Sequence, residues 1–255
     1  MRFFSSDHHF FHRNILTYEA EHRPFRSVDE MHDTLISRWN DTVKPEDEVY
    51  YLGDFALCSG ARLAWDILEQ LHGTKYLIRG NHDRSSLETR CFAWAKDEYE
   101  LEIHHPSRRE SAQVRLCHYP YVDDDLLHMR ESEVLQFHPE APRLDVLFGE
   151  PISAVIKTRR SYSEQRAFLT ESYGLRISSL DQERAEPLRI YLARNLRRFT
   201  WRRPRPDGRW LLHGHVHGLW RAKPTEKMVN VSVEAWGLRP TSELEVAREV
   251  WREVA

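Results

Sequence analysis

The chain lacks the features of membrane proteins and of disulfide-stabilised folds. It has three cysteines in 255 residues, an odd number without paired spacing, so no disulfide framework is expected and a reducing compartment is favoured. No apolar run approaches the roughly 20 residues that a membrane-spanning helix needs. The first polar motif begins at Asp7, which is too early for a cleaved signal peptide. We therefore expect a cytoplasmic protein without a membrane partner.

Charge is nearly balanced over the whole chain but uneven along it. The formal net charge is -3, so the whole protein is not expected to attract nucleic acid. One late span nevertheless holds many arginines opposed only by Asp207. Either a solvated helix face or a patch that binds a nucleic-acid backbone would explain it, and both interpretations stay open. The arginines are Arg189, Arg194, Arg197, Arg198, Arg202, Arg203, Arg205 and Arg209.

The first hundred residues alternate between strand and helix patterns. Short apolar strands end at Asp7 and Asp54, and a third covers 75–78. Between them, a capping box at Ser27 and Glu30 opens one helix, and an apolar stripe that includes Leu63 marks a second. This β-α-β-α-β order predicts a mostly parallel sheet with right-handed crossovers.

The rest of the chain divides into strands and a helix-rich middle. Strands are predicted at 98–103 and 113–117, as neighbours, and at 210–212 and 228–233. A second capping box, Ser242 with Glu245, opens a closing helix with Leu244, Ala247, Trp251 and Val254 facing inward. Residues 121–209 differ in composition, being rich in Arg, Glu, Gln and Leu, with candidate helices at 128–137, 162–172 and 180–199. We interpret this span as a helical insertion or cap within one domain over 1–255.

Five polar motifs each follow a short apolar segment with strand character. Ligands gather outside the carboxyl ends of strands in open α/β sheets, so the motifs are expected to form one site. Carboxylates, imidazoles and one amide, without a thiolate, suit manganese, iron or zinc and are poor for a structural zinc cage. Taken singly, each motif is also compatible with an ordinary strand-end turn. The motifs are Asp7-His8-His9, Gly53-Asp54, Gly80-Asn81-His82-Asp83, His118, and Gly214-His215-Val216-His217.

In this order the motifs resemble the signature of the calcineurin-like metallophosphoesterases, bacterial and phage members included. The likeness covers 1–120 and 210–237 and does not extend to 121–209. It implies an α/β fold with a β-sandwich core flanked by helices, here carrying the helical insertion. It also implies hydrolysis of a phosphate ester by two divalent cations, with manganese favoured and iron, zinc or nickel as alternatives. Such a pair can hold a hydroxide between its ions, neutralise the phosphate and stabilise the leaving oxygen.

The resemblance also implies individual roles. One cation would take Asp7, His9, Asp54 and His217, and the other would take Asp54, Asn81, His118 and His215, with Asp54 bridging. His82 would meet the phosphate and donate a proton to the leaving group, and Asp83 would hold the His82 ring in one tautomer. Arg79 would contact the phosphate, since a guanidinium fork suits two of its oxygens.

Three functions follow from these expectations. The first is a phosphodiesterase or phosphomonoesterase acting on a phosphorylated small molecule or nucleotide. The second is a metal-dependent nuclease whose arginine-rich span, 189–209, binds nucleic acid. The third is a non-catalytic metal-binding scaffold, which the retention of His82 and a full set of ligands disfavours.

Overall fold

The computed structural model describes residues 1–58, 60–83, 91–121 and 202–252. The chain divides into two units, Met1–Tyr121 with Pro206–Ala255, and Val122–Arg205. The first unit is described below. The predicted insertion and its candidate helices fall almost wholly outside the described residues and stay predictions.

The first sheet has five strands and is mostly parallel. The neighbours β1, β2, β3 and β4 run parallel, and β10 joins β1 antiparallel. This confirms the parallel sheet predicted from the alternating pattern. The strands are β1 (Arg2–Ser5), β2 (Glu48–Tyr51), β3 (Thr74–Ile78), β4 (Ala95–Lys96) and β10 (Thr241–Ser242).

The second sheet also has five strands but mixes directions. Its order is β5-β6-β7-β9-β8, with β6-β7 and β7-β9 parallel and the two outer pairs antiparallel. The predicted pairing of 98–103 with 113–117 is confirmed as β5 with β6. The strands are β5 (Glu98–His104), β6 (Ser111–Cys117), β7 (Trp210–His213), β8 (Ala222–Lys223) and β9 (Met228–Asn230).

Two hydrophobic clusters hold these layers together. One takes Phe3, Val49 and Leu77 from the first sheet and packs them against α2 and α3. The other takes Phe4 and Ile78 from alternate positions, together with residues of the second sheet and of α4. Because side chains alternate between faces, the first sheet is buried on both sides. The helices are α1 (Ile15–Tyr18), α2 (Val28–Thr42), α3 (Ala61–Leu68) and α4 (Glu243–Val250).

Several local expectations were wrong in detail. Leu63 and Leu244 are exposed, because Ala64 and Val246 occupy the inward positions of their helices. The strand expected over 228–233 ends at Asn230, and a 3₁₀ turn follows at Val233–Trp236. At α2 Ser27 accepts the Glu30 amide as expected, but the Glu30 side chain accepts from the Arg26 amide rather than from Ser27. Val254 lies outside the described residues.

The ends of the two sheets are joined where the polar motifs lie. The amide of Asp7 donates to the carbonyl of Gly53, and the amide of Gly214 donates to that of His118. A bridge between Ser6 and Ser232 links the end of β1 to the segment after β9. These main-chain bonds bring turns from distant parts of the sequence to one place.

Among the described residues, no helix combines the length and apolarity needed to cross a membrane.

Candidate metal centre

The turns that carry the motifs have an unusual backbone. Five of the expected ligands have positive φ angles between 49° and 71°: Asp7, His9, Asp54, His215 and His217. A side chain in this left-handed region typically costs about 1 kcal/mol or more, and such residues cluster at functional sites. Left-handed turns, and not an extended strand, therefore set the directions of the Asp7 and His9 side chains.

Glycines in the motifs allow these turns to approach one another. A Cβ on Gly80 would lie 2.2 Å from Asp54 Oδ1, and one on Gly214 would lie 2.3 Å from Asp7 Oδ2. At Gly53, φ is +91° and a Cβ would lie 2.5 Å from the Gly80 amide nitrogen. Each glycine is therefore required because a carboxylate or a neighbouring backbone occupies the space of its side chain.

Asp7, His9 and His217 form one group of potential ligands. One donor atom from each lies within 4.8 Å of the others. His9 Nε2 is 3.8 Å from Asp7 Oδ1, and the His9 and His217 rings stack with centroids 5.1 Å apart. These three residues belong to the first set of ligands that the resemblance implies.

A second group surrounds His118. Its Nε2 atom is 3.2 Å from Asn81 Oδ1 and 3.2 Å from His215 Nδ1. The same nitrogen is 3.5 Å from Asp54 Oδ2. The structure thus brings together Asn81, His118, His215 and Asp54, the members expected for the second set.

Asp54 lies between the two groups. Its Oδ2 atom is 3.7 Å from His9 Nε2 and 3.5 Å from His118 Nε2, one nitrogen from each group. Asp7 also reaches both sides, because it forms a further group with Asp54 and His118. A single carboxylate oxygen therefore faces ring nitrogens of both groups.

Hydrogen bonds on the far side of the rings fix which nitrogen faces the centre. His118 Nδ1 lies 2.7 Å from the Leu52 carbonyl, and His217 Nδ1 lies 2.9 Å from Glu234 Oε1. A ring bonded in this way through one nitrogen presents the other to a cation, an arrangement typical of metal-binding histidines. In both cases the nitrogen left to face the centre is Nε2.

Burial and charge act differently on the two stacked rings. Burial, with the neighbouring histidines, holds the pKa of His9 well below its usual value, which keeps the ring neutral. Burial also opposes protonation of His217, but the Glu234 carboxylate outweighs it and raises the pKa of His217 to about 9. A cation at His217 must therefore displace a proton.

His82 borders the two groups without joining either. Its Nε2 atom is 4.0 Å from Asp54 Oδ2, and its ring centroid is 5.3 Å from that of His9. Its side chain is 37% exposed, whereas that of His118 is fully buried. The backbone amide of His82 donates to Asp54 Oδ1 at 2.8 Å, so the ring is tied to the centre but open to solvent.

The Asp83 side chain accepts hydrogen bonds from backbone amides of two turns. Its Oδ2 atom accepts from the amides of Asp54 and Gly80, and its Oδ1 atom accepts from the amide of Phe55. The carboxylate therefore links the turn at Asp54 to the turn at Gly80, and its expected role in orienting the His82 ring stays a prediction. Burial first, and then the charge of Asp54, raise the pKa of Asp83.

Arg79 is directed toward β4. Its guanidinium bonds the Ala95 carbonyl at 3.1 Å and Asp97 at 3.2 Å. Its expected contact with phosphate stays a prediction. Within the arginine-rich span, Arg209 pairs with Asp207 and with Glu100. Arg189 to Arg198 lie outside the described residues, so the nucleic-acid patch also stays a prediction.

Sequence reasoning missed the residues that support the ligands from behind. Ser6 and Ser232 hydroxyls donate to Asp7 Oδ2 at 2.6 and 2.9 Å. A buried ion pair, Arg23 with Glu234, lies beneath the first group. Ser6 is the neighbour of Asp7, but Ser232, Arg23 and Glu234 act through partners distant in sequence, so no local pattern marks them.

The centre fits a cation on two independent grounds. Asp7 Oδ1 and His9 Nε2 are buried and, among the described residues, have no hydrogen-bond partner, which is costly unless something else satisfies them. Ligand atoms held about 2.1 Å from one ion lie about 3–4 Å from each other. The separations of 3.5 to 3.8 Å between carboxylate oxygens and imidazole nitrogens have this length.

Comparison with known proteins gives two kinds of result. No protein-family model matches the chain. The uncharacterised protein MJ1445 of Methanocaldococcus jannaschii is 42% identical over 148 residues, which cover 52% of this chain and 82% of that protein. The chain belongs to the MJ1445 family. The Gene 66 protein of Mycobacterium phage D29 is 30% identical over 177 residues, 64% of this chain and 83% of the phage protein.

A solved structure resembles this member of the MJ1445 family in fold. It is the crystal structure of AQ665 from Aquifex aeolicus, described as a protein of unknown function. The TM-score is 0.52, with 24% identity, over 97% of this chain and 98% of AQ665. At that identity the likeness concerns the fold alone.

Proposed function

We propose that this chain is a dinuclear metal-dependent phosphoesterase of the calcineurin-like type, with the corresponding sandwich core. The observation that carries the proposal is the position of Asp54. Its Oδ2 atom lies within 4 Å of ring nitrogens of His9, His118 and His82. This is the arrangement that a bridging carboxylate beside a proton donor requires.

The two groups of donors assign the ligands. Asp7, His9 and His217 would hold one cation, Asn81, His118 and His215 the other, and Asp54 would serve both. Bound there, two divalent cations would lower the pKa of water and neutralise phosphate charge. Mixed imidazole, carboxylate and amide donors favour manganese, with iron, zinc or nickel as alternatives.

The chain's own residues supply positioning and a proton. His82 Nε2, exposed at the edge of the centre, would donate its proton to the leaving oxygen of the ester. Its amide bond to Asp54 Oδ1 keeps that nitrogen at a fixed place relative to the bridging carboxylate. Asp83 maintains this distance by tying the two turns together. A positioned acid of this kind typically contributes about 10²- to 10⁴-fold in rate.

The substrate class follows from the centre more than from its surroundings. A phosphate mono- or diester of a small, nucleotide-like molecule fits a cationic site with a solvent-facing histidine. The nuclease alternative depends on the arginine-rich span. Within that span Arg209 is already paired with Asp207 and Glu100, which favours a small-molecule substrate over nucleic acid.

A test starts from chelator-treated protein reloaded with manganese, iron, zinc or nickel. We expect hydrolysis of an aryl phosphodiester or phosphomonoester in the loaded protein and about two cations per chain by elemental analysis. If the protein takes up cations but hydrolyses no ester, cyclic nucleotide, dinucleoside polyphosphate or oligonucleotide, it would be a non-catalytic metal-binding scaffold instead. Well under one cation per chain would exclude a metal-dependent activity.

A further inference from the structure

The buried pair beneath the centre, Arg23 with Glu234, uses every donor of the guanidinium. Arg23 Nε and Nη2 both donate to Glu234 Oε1, at 2.9 and 2.7 Å. Nη1 donates to the His8 carbonyl at 2.7 Å and contacts Met31 Sδ at 3.3 Å, and Nη2 also donates to the Asp7 carbonyl. Both side chains are completely buried. All five N–H groups of the guanidinium thus have partners.

Two of these partners lie in the strained turn that carries the first ligands. The carbonyls of Asp7 and His8 belong to the two consecutive peptide groups that join Asp7 to His9. Asp7 and His9 have φ angles of 58° and 52°. A left-handed conformation at such residues persists only when the surroundings impose it. Arg23 supplies that constraint from the buried side of the turn.

The same carboxylate oxygen reaches a ligand directly. Glu234 Oε1, besides accepting from Arg23, lies 2.9 Å from His217 Nδ1. Arg23 therefore connects the backbone of Asp7 and His8 to the side chain of His217 through one oxygen atom. The hydrogen bonds of this pair thus run to the backbone of Asp7 and His8 and to the side chain of His217, which belong to the first donor group.

We propose that Arg23 and Glu234 are positioning residues that hold the Asp7–His9–His217 group in ligand geometry before any cation binds. The inference rests on the proposed function, but its first consequence concerns the metal-free protein. The pair makes the two cation positions unequal, because one is held by a buried ion pair and the other by main-chain and amide contacts.

The first arm of the test is hydrogen exchange in metal-free protein. Arg23→Lys keeps the charge but loses the planar fork, and Glu234→Gln keeps the shape but loses the charge. We expect the amides of Asp7 and His9 to exchange at least about 10-fold faster in both variants, with amides of β5 and β6 unchanged. Glu245→Gln, which breaks the Arg239–Glu245 pair elsewhere, is the matched control and should leave Asp7 and His9 protected.

The second arm is calorimetric titration with Mn²⁺. Loss of a partner behind a ligand typically weakens metal affinity about 10- to 100-fold. We expect this loss for one of two equivalents in Glu234→Gln, with the other within about threefold of the original protein. Equal weakening of both equivalents, or of neither, would overturn the inference.

A double variant separates positioning from simple stability. Arg23→Met with Glu234→Leu replaces the pair by apolar side chains, an exchange that often preserves or raises stability. We expect a folded protein that still shows fast exchange at Asp7 and His9 and one weakened Mn²⁺ equivalent. Slow exchange at Asp7 and His9 together with two Mn²⁺ equivalents of original affinity would mean that the pair only stabilises the fold. If the original protein binds no Mn²⁺, the proposed function fails, and the exchange arm alone decides whether the pair holds the turn.

Discussion

Two polar regions of the molecule, the strand-end centre and the start of α4, satisfy their groups differently. At α4, Ser242 and Glu245 form a complete capping box, and Arg239 pairs with the same glutamate. At the centre, Asp7 Oδ1 and His9 Nε2 are buried without a hydrogen-bond partner among the described residues. At the start of α4 the polar groups are paired within the chain, whereas at the centre two buried polar atoms have no hydrogen-bond partner among the described residues.

The backbone shows the same contrast. The Ser242 cap has ordinary extended angles, φ -77° and ψ 156°. Asp7, His9, Asp54, His215 and His217 all lie in the left-handed region. Paired polar groups on a relaxed backbone serve stability, while unpaired groups on a strained backbone indicate a site that is completed by something else. Mutations should therefore separate the two regions by what they damage.

The largest effect is expected at Asp54. Asp54→Asn should lower hydrolysis of an aryl phosphodiester by more than about 100-fold, because it removes a ligand rather than a residue behind one. The metal-free variant should melt at the same or a higher temperature, since the Asp54 charge repels that of buried Asp83. Measurements are steady-state kinetics and calorimetry, with Glu245→Gln as control. If Asp54→Asn remained active but became less stable, the role of Asp54 would be structural and not catalytic.

His82 should affect rate without affecting metal content. His82→Ala is expected to lower kcat about 100-fold or more while the protein retains two cations per chain. The matched control is His104→Ala, an exposed histidine at the end of β5. Full activity in the His82 variant, or loss of a cation from it, would contradict its role as a proton donor.

A pair of glycines tests the close approach of the turns. Gly80→Ala should lower the free energy of unfolding by about 1–3 kcal/mol, because its Cβ would lie 2.2 Å from Asp54 Oδ1. At Gly60, the N-cap of α3, a Cβ would meet nothing within 4 Å, so Gly60→Ala should lower the free energy of unfolding by less than about 1 kcal/mol, the difference between glycine and alanine at an N-cap. Urea unfolding measures both. Equal effects would show that the turns are not tightly packed.

The smallest effect is expected at α4 and depends on pH. Burial disfavours the charged form of Glu245, but Arg239 and the cap outweigh it and lower the pKa of Glu245 from 4.5 to about 2. A lowered pKa stabilises the folded state above pH 4.5, and this contribution disappears as pH falls toward 2. Glu245→Gln should therefore cost on the order of 1 kcal/mol at pH 7 and progressively less below pH 4.5. A pH-independent difference in urea unfolding would contradict this.

The two regions also differ in how well sequence predicted them. The capping box at Ser242 and Glu245 was predictable because its partners are three residues apart and depend on helix geometry alone. The residues of the candidate metal centre were predictable as residue types after apolar strands. Their geometry was not, since the left-handed angles of Asp7 and His9 depend on Arg23, and Arg23 depends on Glu234, 211 positions away. The backbone bonds that Asp83 accepts were unpredictable for a similar reason, because its partner Asp54 lies 29 positions away.

By itself, the sequence determined where strands β1, β2 and β3 of the first sheet run and which polar side chains follow them, because alternation and local caps act over a few residues. Only the tertiary structure decided that Asp54 lies between two groups of donors. It also decided that Asp7 Oδ1 and His9 Nε2 stay unpaired, and that an ion pair supports one group from behind. These arrangements arise from contacts between segments far apart in the chain, and no local periodicity records such contacts.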